Sequence, residues 1–556
     1  MSKIENKNIN KVKQQFADGE MDRRDFLRYS TLLGMTSAAA YAFAGKITGE
    51  NFVAPAQAAV KKGGDMKVGM RVMDVVNPHT FSWGFDSNLV RGTVEYLTET
   101  GSDNVTRPYL CEKWEASEDL KTWDLHMRKD VKWHNGRKWT AEDAAWNIRH
   151  CLDPNTGSSV LGLMKGYMLN DVEMTNADGT AGTTTELWDA NAIEVVNEST
   201  LRLNCKEAQV AVPEHLFHYP FPMLDPEEGG TFAPGGNGTG AFDLEEVRVG
   251  ERAVLRARKD YWGEAPMLDS LTYIDLGDDP SASVGALASK QVDALYEIGF
   301  EQMAALEHMP HVEIQQVTTA QTGVARMQVD RPEFSDPRVR KAMRLAIDTP
   351  RVLELAHNNM GSPAEHHHVS PVHPDYKDIG FMKRDVAGAK ALLAEAGHPD
   401  GVDFEIACKK DPAWELNAVQ AMVQMWAEAN IRVKINVLPS AQFWDVWDKV
   451  PFGFTEWTHR PLGFMVLSLA YQSGVPWNES HYSNAEFDSL LTQASGTLDI
   501  AERSEIIGKL EHIMQEDGPI VQPLWRPGLS ATLNTVGGWK KHPTDYVFPG
   551  KIGFKA

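Results

Sequence analysis

Histidine, cysteine, tryptophan and arginine supply the side chains of this sequence that could do chemistry. His366, His367 and His368 are adjacent, with His373 close behind, and they form its one cluster of metal-ligand type. Histidine-rich stretches can bind metal. Adjacent imidazoles on a loop cannot all face one ion, however, and Pro363, Pro371 and Pro374 flank these, so the stretch reads as a solvated loop without a metal site. The four cysteines, Cys111, Cys151, Cys205 and Cys408, are widely separated. An oxidising compartment could pair them in three ways, or they could stay isolated buried thiols in a fold large enough to need no staple. No CxxC spacing occurs, which disfavours thiol redox work. Gly236, Gly238 and Ala241 have the spacing of a dinucleotide fingerprint, but a proline-rich loop precedes them and a strand-like stretch follows, the reverse of what that motif requires. Neither HExxH, GxSxG, CxxCH nor a phosphate loop is present, so no enzyme and no cofactor is expected. Aromatic residues gather in several places: Trp83 and Phe85, Trp444 and Trp447, Trp457, Trp477 and Trp525. Aromatic walls desolvate a small ligand and can face a cation, although a single tryptophan is more often core.

Arg23 and Arg24 precede Asp25, Phe26 and Leu27, and a weakly apolar stretch runs from Tyr29 to about Ala44. A basic segment, a short apolar segment and the small-residue site Ala56-Gln57-Ala58 together read as a twin-arginine export leader, cut after Ala58. Its apolar core carries Ser30, Thr31, Gly34, Thr36 and Ser37, and so falls short of the roughly 20 apolar residues that span a bilayer. The expected product is a free, soluble periplasmic protein, exported already folded. The chain has 55 basic and 77 acidic side chains, of which the leader holds eight and six, so the remainder carries a net charge near −24. Such a surface repels phosphate backbones and excludes nucleic acid as the expected partner.

Local signals sketch the elements that would position these residues. Residues 67–73 read as a strand ending at the turn Asn77-Pro78. Trp123, Leu125 and Met127 alternate with polar neighbours, and Asn135-Gly136 marks a hairpin. Thr140 and Asp143 make a capping box for a helix that ends at Asp153-Pro154, and residues 170–190 read as a polar surface excursion. Gly236 to Gly240 read as a tight loop before the strand-like 241–247. Asp336 and Pro337 start an amphipathic helix with Val339, Ala342, Met343, Ala346 and Ile347 on one face and Arg338, Arg340, Lys341 and Arg344 on or near the wet side. Helices and strands then alternate: a helix capped by Asp385, a strand at 403–408, a helix at 414–429 and a strand at 432–438, with two more helices near 485–494 and 500–516. The texture is α/β.

Four stretches, in this order, resemble the ABC-transporter extracytoplasmic solute-binding proteins of family 5, which take in dipeptide, oligopeptide and nickel binders. They are Arg107-Pro108-Tyr109-Leu110 through Trp114, continuing into Asp130 to Gly136 and Trp139 to Asp143; Gly238-Thr239-Gly240-Ala241-Phe242 with Gly250-Glu251-Arg252 and Asp260-Tyr261-Trp262; Phe334 to Ala342 with Ala346-Ile347-Asp348; and Ala389 to Gly401. The resemblance implies a two-lobed periplasmic binding protein (type II, cluster C-like) with an extra subdomain in its first lobe. Mapped here, residues 59–325 and 527–556 form the first lobe, with the inserted subdomain at about 101–230, and 326–526 form the second. It implies a monomer that works with the membrane permease and ATPase subunits of an ABC importer; the competing readings are a metal- or haem-binding member of the same fold and a twin-arginine-exported enzyme.

Peptide binders of this family place an aspartate in the second lobe to hold the peptide's amino terminus. The corresponding segment here reads Glu456-Trp457-Thr458-His459-Arg460-Pro461-Leu462-Gly463, with Arg460 near the place of that carboxylate. A buried guanidinium suits a carboxylate through two parallel hydrogen bonds. An anionic or carboxylate-bearing ligand is therefore expected, unless Arg460 pairs with Glu456 or another acid of its own lobe. Mapped onto the family's loops, the expected ligand-binding residues are Trp83, Phe85, Trp457, His459, Arg460, Trp477 and Trp525. Should three tryptophans form a box, a quaternary ammonium becomes an option.

Overall fold

A computed structural model describes residues 7–49, 60–175 and 179–556. Two lobes share one mixed sheet, and two long strands carry the chain between them. In the first lobe Phe242–Arg248, Arg252–Ala257 and Ser270–Ile274 pair antiparallel in succession, and Asp65–Gly69 lies parallel between Ser270–Ile274 and the short Ala294–Leu295. In the second lobe Val402–Lys409 lies parallel to Ile431–Leu438 and to the start of Phe452–Trp457. The strands Val312–Met327 and Leu524–Leu533 run antiparallel through the middle, and their register slips between Val317 and Gln321. Past that slip Val312–Met327 turns its other edge to Phe452–Trp457, so a single strand serves both lobes.

Where local signals dominate, the elements follow the sequence. The Thr140 hydroxyl and Asp143 form the expected capping box on Ala141–Leu152, and Asp336 caps Pro337–Leu345. Gly238 and Gly240 precede strand Phe242–Arg248 as a loop, and both press against the backbone of Gly92 and Thr93, an approach that leaves no room for a β-carbon. Three expectations change. The first strand is Asp65–Gly69 rather than 67–73, because its length is set by Ser270–Ile274 alongside. Around Asn135-Gly136 a single bridge, Lys132 to Lys138, replaces a strand pair. The excursion at 170–190 is itself a hairpin, Leu169–Thr175 with Ala181–Leu187.

Two further corrections concern burial. Arg340 and Arg344 are 3% and 0% exposed, not on the wet side of their helix. Arg344 donates from Nε to the Gln515 carbonyl at 3.0 Å and from Nη2 to that of Glu516 at 3.1 Å, and its Nη1 reaches the Gly518 carbonyl. It thus closes the C-terminal end of helix Ile500–Glu516, where unpaired carbonyls and the helix dipole favour a cation. The histidine run is also buried, His366, His367 and His368 each at 1% exposure or less, because Gln522 of the segment between the lobes hydrogen-bonds it.

All four cysteines are buried free thiols. Residues of the expected leader form helices Lys7–Ala17, Arg23–Leu32 and Ser37–Thr48, which pack against the body: Arg28 Nε donates to the Asn104 carbonyl at 3.1 Å and Tyr29 meets Arg503. The expected cleavage site at Ala58 lies outside the described residues. No helix among the described residues is long and apolar enough to cross a membrane.

Candidate functional site

Strand Phe452–Trp457 aims alternate side chains at opposite surroundings. On one face Thr455 Oγ1 and Trp457 Nε1 donate to the two carboxylate oxygens of Glu479 at 2.6 and 3.0 Å, and Arg326 Nε completes that group at 2.7 Å. Burial raises the Glu479 pKa, and Arg326 with these donors opposes the shift. On the other face Glu456 accepts from Arg526 Nη1 with one oxygen and from Lys409 Nζ at 3.4 Å with the other. Both carboxylates are thus committed within the protein.

Beyond the strand the chain turns through Thr458 and His459 to Arg460, which is 3% exposed. The Arg460 guanidinium lies over the Tyr219 ring, 5.2 Å from its centroid. Nη1 donates within its own loop, to Thr458 Oγ1 at 2.6 Å and to the carbonyls of His459 and Thr458 at 3.0 and 3.3 Å, and the Tyr219 hydroxyl also meets the guanidinium. Its Nε is buried without a partner. Glu456, the acid nearest in sequence, is held by Arg526 and Lys409, and among the described residues no carboxylate pairs with Arg460. The intralobe ion pair weighed from the sequence is therefore absent.

Arg460 lines a cavity of about 40 Å³ between the lobes. Ser82, Trp83, Gly84 and Tyr219 come from the first lobe; Trp444, Trp447, Thr455, Glu456, Trp457, Thr458 and Trp477 come from the second. Successive rings build the wall, with centroids 4.1 Å apart for Trp83 and Trp444, 5.8 Å for Trp444 and Trp447, 6.4 Å for Trp447 and Trp477, and 5.9 Å for Trp477 and Trp457. Tyr219 joins the wall, 5.7 Å from Trp477. Lys409 Nζ stands 5.2 Å from the Trp83 centroid and 5.5 Å from that of Trp444. Burial pulls the Lys409 pKa down, but Glu415 and Glu456 outweigh it and keep the ammonium charged.

Of the seven residues expected from the sequence, Trp83, Trp457, Arg460 and Trp477 meet in this chamber. Phe85 stacks behind Trp83 at 4.9 Å and lines a neighbouring interlobe cavity of about 130 Å³ that also contains Arg71, Glu297, Asp411 and Arg526. His459 points away from the chamber. Its Nδ1 accepts from the Ala320 amide at 3.0 Å, so Nε2 carries the proton and donates to Asn104 Oδ1 at 3.1 Å. Burial keeps that imidazole neutral, far below its ordinary pKa. Trp525 packs with Ala320 and Ala364 behind the wall, 6.1 Å from His368. Trp444 and Trp447 were visible in the sequence as aromatics three apart, whereas Tyr219, 225 positions before Trp444, gave no local signal.

Interlobe contacts ring the chamber. Arg71, at the end of the first-lobe strand Asp65–Gly69, reaches Asp411 of the second lobe at 2.6 Å and also binds Asp278. Arg526 joins Glu297 to Glu456. Larger cavities of about 320 and 360 Å³ are lined only by first-lobe residues such as Asp103, His542 and Phe548. No group of three or more histidine, cysteine or acidic side chains among the described residues is placed to hold a metal ion.

The model of the family described as bacterial extracellular solute-binding proteins, family 5 Middle, matches residues 106–474. The periplasmic oligopeptide-binding protein OppA of Salmonella typhimurium is 25% identical over 501 residues, covering 85% of this chain and 89% of its own. The probable deoxycholate-binding periplasmic protein YgiS of Escherichia coli is 24% identical over 509 residues, covering 84% and 89%. Among solved structures, the binding protein AgaA of A. tumefaciens in complex with agropinic acid superposes with a TM-score of 0.78 at 20% identity, covering 89% of this chain and 99% of that one.

Proposed function

The chain belongs to the bacterial extracellular solute-binding proteins of family 5, and on that premise we propose that it is the periplasmic solute-binding component of an ABC importer. It captures a small organic solute, peptide-like or amino-acid-derived and carrying a carboxylate, in the tryptophan-walled chamber. The observation that carries this reading is Arg460: a guanidinium 3% exposed, lining an interlobe cavity, with no acid among the described residues paired to it. Leaving a charge buried and unpaired is costly, and a ligand carboxylate bound through two parallel hydrogen bonds removes that cost.

Capture works by differential binding. A solute that touches Trp83 and Tyr219 on one lobe and Arg460, Trp457 and Trp477 on the other stabilises the closed form, the form that the permease and ATPase subunits would recognise. A micromolar solute supplies about 8 kcal/mol, from which any cost of closure is drawn. In this reading residues 59–325 with 527–556 and residues 326–526 move as the two bodies, and the two crossovers between them make the hinge; the register slip between Val317 and Gln321 lies close to the first crossover. Residues 1–58 act as the twin-arginine leader that brings the folded monomer to the periplasm. Replacing Arg23 and Arg24 together with lysine is expected to keep the chain in the cytoplasm; normal appearance in a periplasmic extract would remove the export reading.

The solute-binding reading is tested by thermal shift and calorimetry against amino acids, dipeptides, betaines, organic acids and metal ions, since a ligand specific for the native state raises its stability. A small solute that raises Tm and is recovered unchanged supports it. Turnover of the solute, or loss of stability on chelation, would favour an enzyme or a metal binder instead.

A further inference from the structure

The polar atoms left unpaired around the chamber are all of one kind. Trp83 Nε1, Trp444 Nε1 and Arg460 Nε are buried without partners, and each is a donor. Acceptors of the same wall, by contrast, already hold donors. Glu456 is bound by Arg526 and Lys409, and Thr458 Oγ1 by Arg460. The carbonyls of Ser82, Gly84 and Trp447 accept from Tyr219, Ser87 and Arg326. Glu479, behind Trp457, is filled by Thr455, Trp457 and Arg326. A ligand entering this space meets hydrogen-bond donors and indole surface.

We infer, building on the solute-binding reading above, that the preferred solute is a small carboxylate whose remaining part carries no hydrogen-bond donor: its carboxylate sits on Arg460 and its body, apolar or a fully alkylated cation, fills the tryptophan chamber. A primary ammonium or a peptide amide brings N–H groups that would be stripped of water and left unpaired here, and that loss is worth tenfold or more in affinity per group. A trimethylammonium needs no acceptor and is attracted to indole faces. An apolar body is served by the same wall through exclusion of water alone. At about 40 Å³ the chamber suits one short substituent rather than a chain of residues.

Four small probes separate these chemistries. Trimethylglycine and glycine differ only in N-methylation, 3,3-dimethylbutyrate replaces the quaternary nitrogen of trimethylglycine by carbon, and choline keeps the cation without the carboxylate. Titrated calorimetrically into the purified protein beside dialanine, trimethylglycine or 3,3-dimethylbutyrate should bind at least tenfold more tightly than glycine, choline and dialanine. A lead for trimethylglycine marks the cation as read by the indoles; a lead for 3,3-dimethylbutyrate marks an apolar body; either supports the inference. Arg460→Gln should abolish the binding of the preferred probe with little change in Tm. Glycine or dialanine binding as tightly as both donor-free carboxylates would overturn the inference while leaving the solute-binding reading standing. Failure of every solute in the wider panel to raise Tm would overturn both.

Discussion

Arg344 and Arg460 are both buried arginines of the second lobe, and they are used in opposite ways. Every nitrogen of Arg344 is spent on carbonyls at the end of helix Ile500–Glu516, and Arg340 beside it binds Asp517 at 2.6 Å. Burial lowers the Arg344 pKa to about 9, and even there the group stays charged at neutral pH. Arg460 spends one nitrogen on its own loop and faces a cavity. A guanidinium that has all its bonds holds a fold together; one that lacks them is waiting for a partner. Burial alone does not separate the two, since both are nearly inaccessible.

That contrast sets the order of the expected effects. Arg344→Ala should cost the most, because it leaves three carbonyls unpaired and opens a cavity; a loss of roughly 3 to 4 kcal/mol of stability is expected, seen as a fall in Tm, with the affinity of the folded fraction unchanged. A comparable loss of affinity would blur the contrast. Arg460→Ala should do the reverse, weakening the solute by about 2 to 4 kcal/mol while leaving Tm within a few degrees, because a buried charge without an acid contributes little to the fold. Trp477→Ala comes next, with a loss of about 1 to 3 kcal/mol in affinity, whereas Trp525→Ala, behind the wall, should act mainly on stability. Asp411→Asn, which weakens the partly buried interlobe pair with Arg71, should lower affinity by less than about 1 kcal/mol and shift small-angle scattering of the free protein toward an open form.

The buried histidines give a pH prediction. Burial lowers the His373 pKa to about 4, from an ordinary 6.5. Below pH 6.5 the unfolded chain takes up a proton that the folded one refuses, so stability is lost as pH falls from 6.5 toward 4. His373→Gln should therefore flatten the stability profile over that window, by up to about 3 kcal/mol at its acid end. An unchanged slope in urea titrations at pH 7 and pH 4.5 would show that His373 is not the group responsible.

The sequence reveals most where neighbours along the chain decide the structure. Thr140 with Asp143, and Asp336 before Pro337, are sufficient to place helices, and the alternation after residue 385 is enough to mark an α/β lobe. It reveals least where the deciding partner is remote. The burial of Arg340 and Arg344 depends on a helix end about 170 residues away, and that of His366 to His368 on Gln522. The chamber lies between these cases. Trp83, Trp457, Arg460 and Trp477 could be singled out because they map to a family's loops, yet only the fold shows that Glu456 turns to Arg526 and Lys409 and leaves Arg460 without an acid. Tyr219, the aromatic face under that guanidinium, had no signal at all.

Whether Arg460 holds a solute carboxylate is decided by a double cycle. The affinities of the preferred solute and of its neutral carboxamide are measured by calorimetry on the wild type and on Arg460→Ala. The wild type is expected to favour the acid over the amide by about 100-fold, equivalent to about 3 kcal/mol, and this preference should collapse to near unity in the variant. A preference for the acid that survives intact in Arg460→Ala would contradict it.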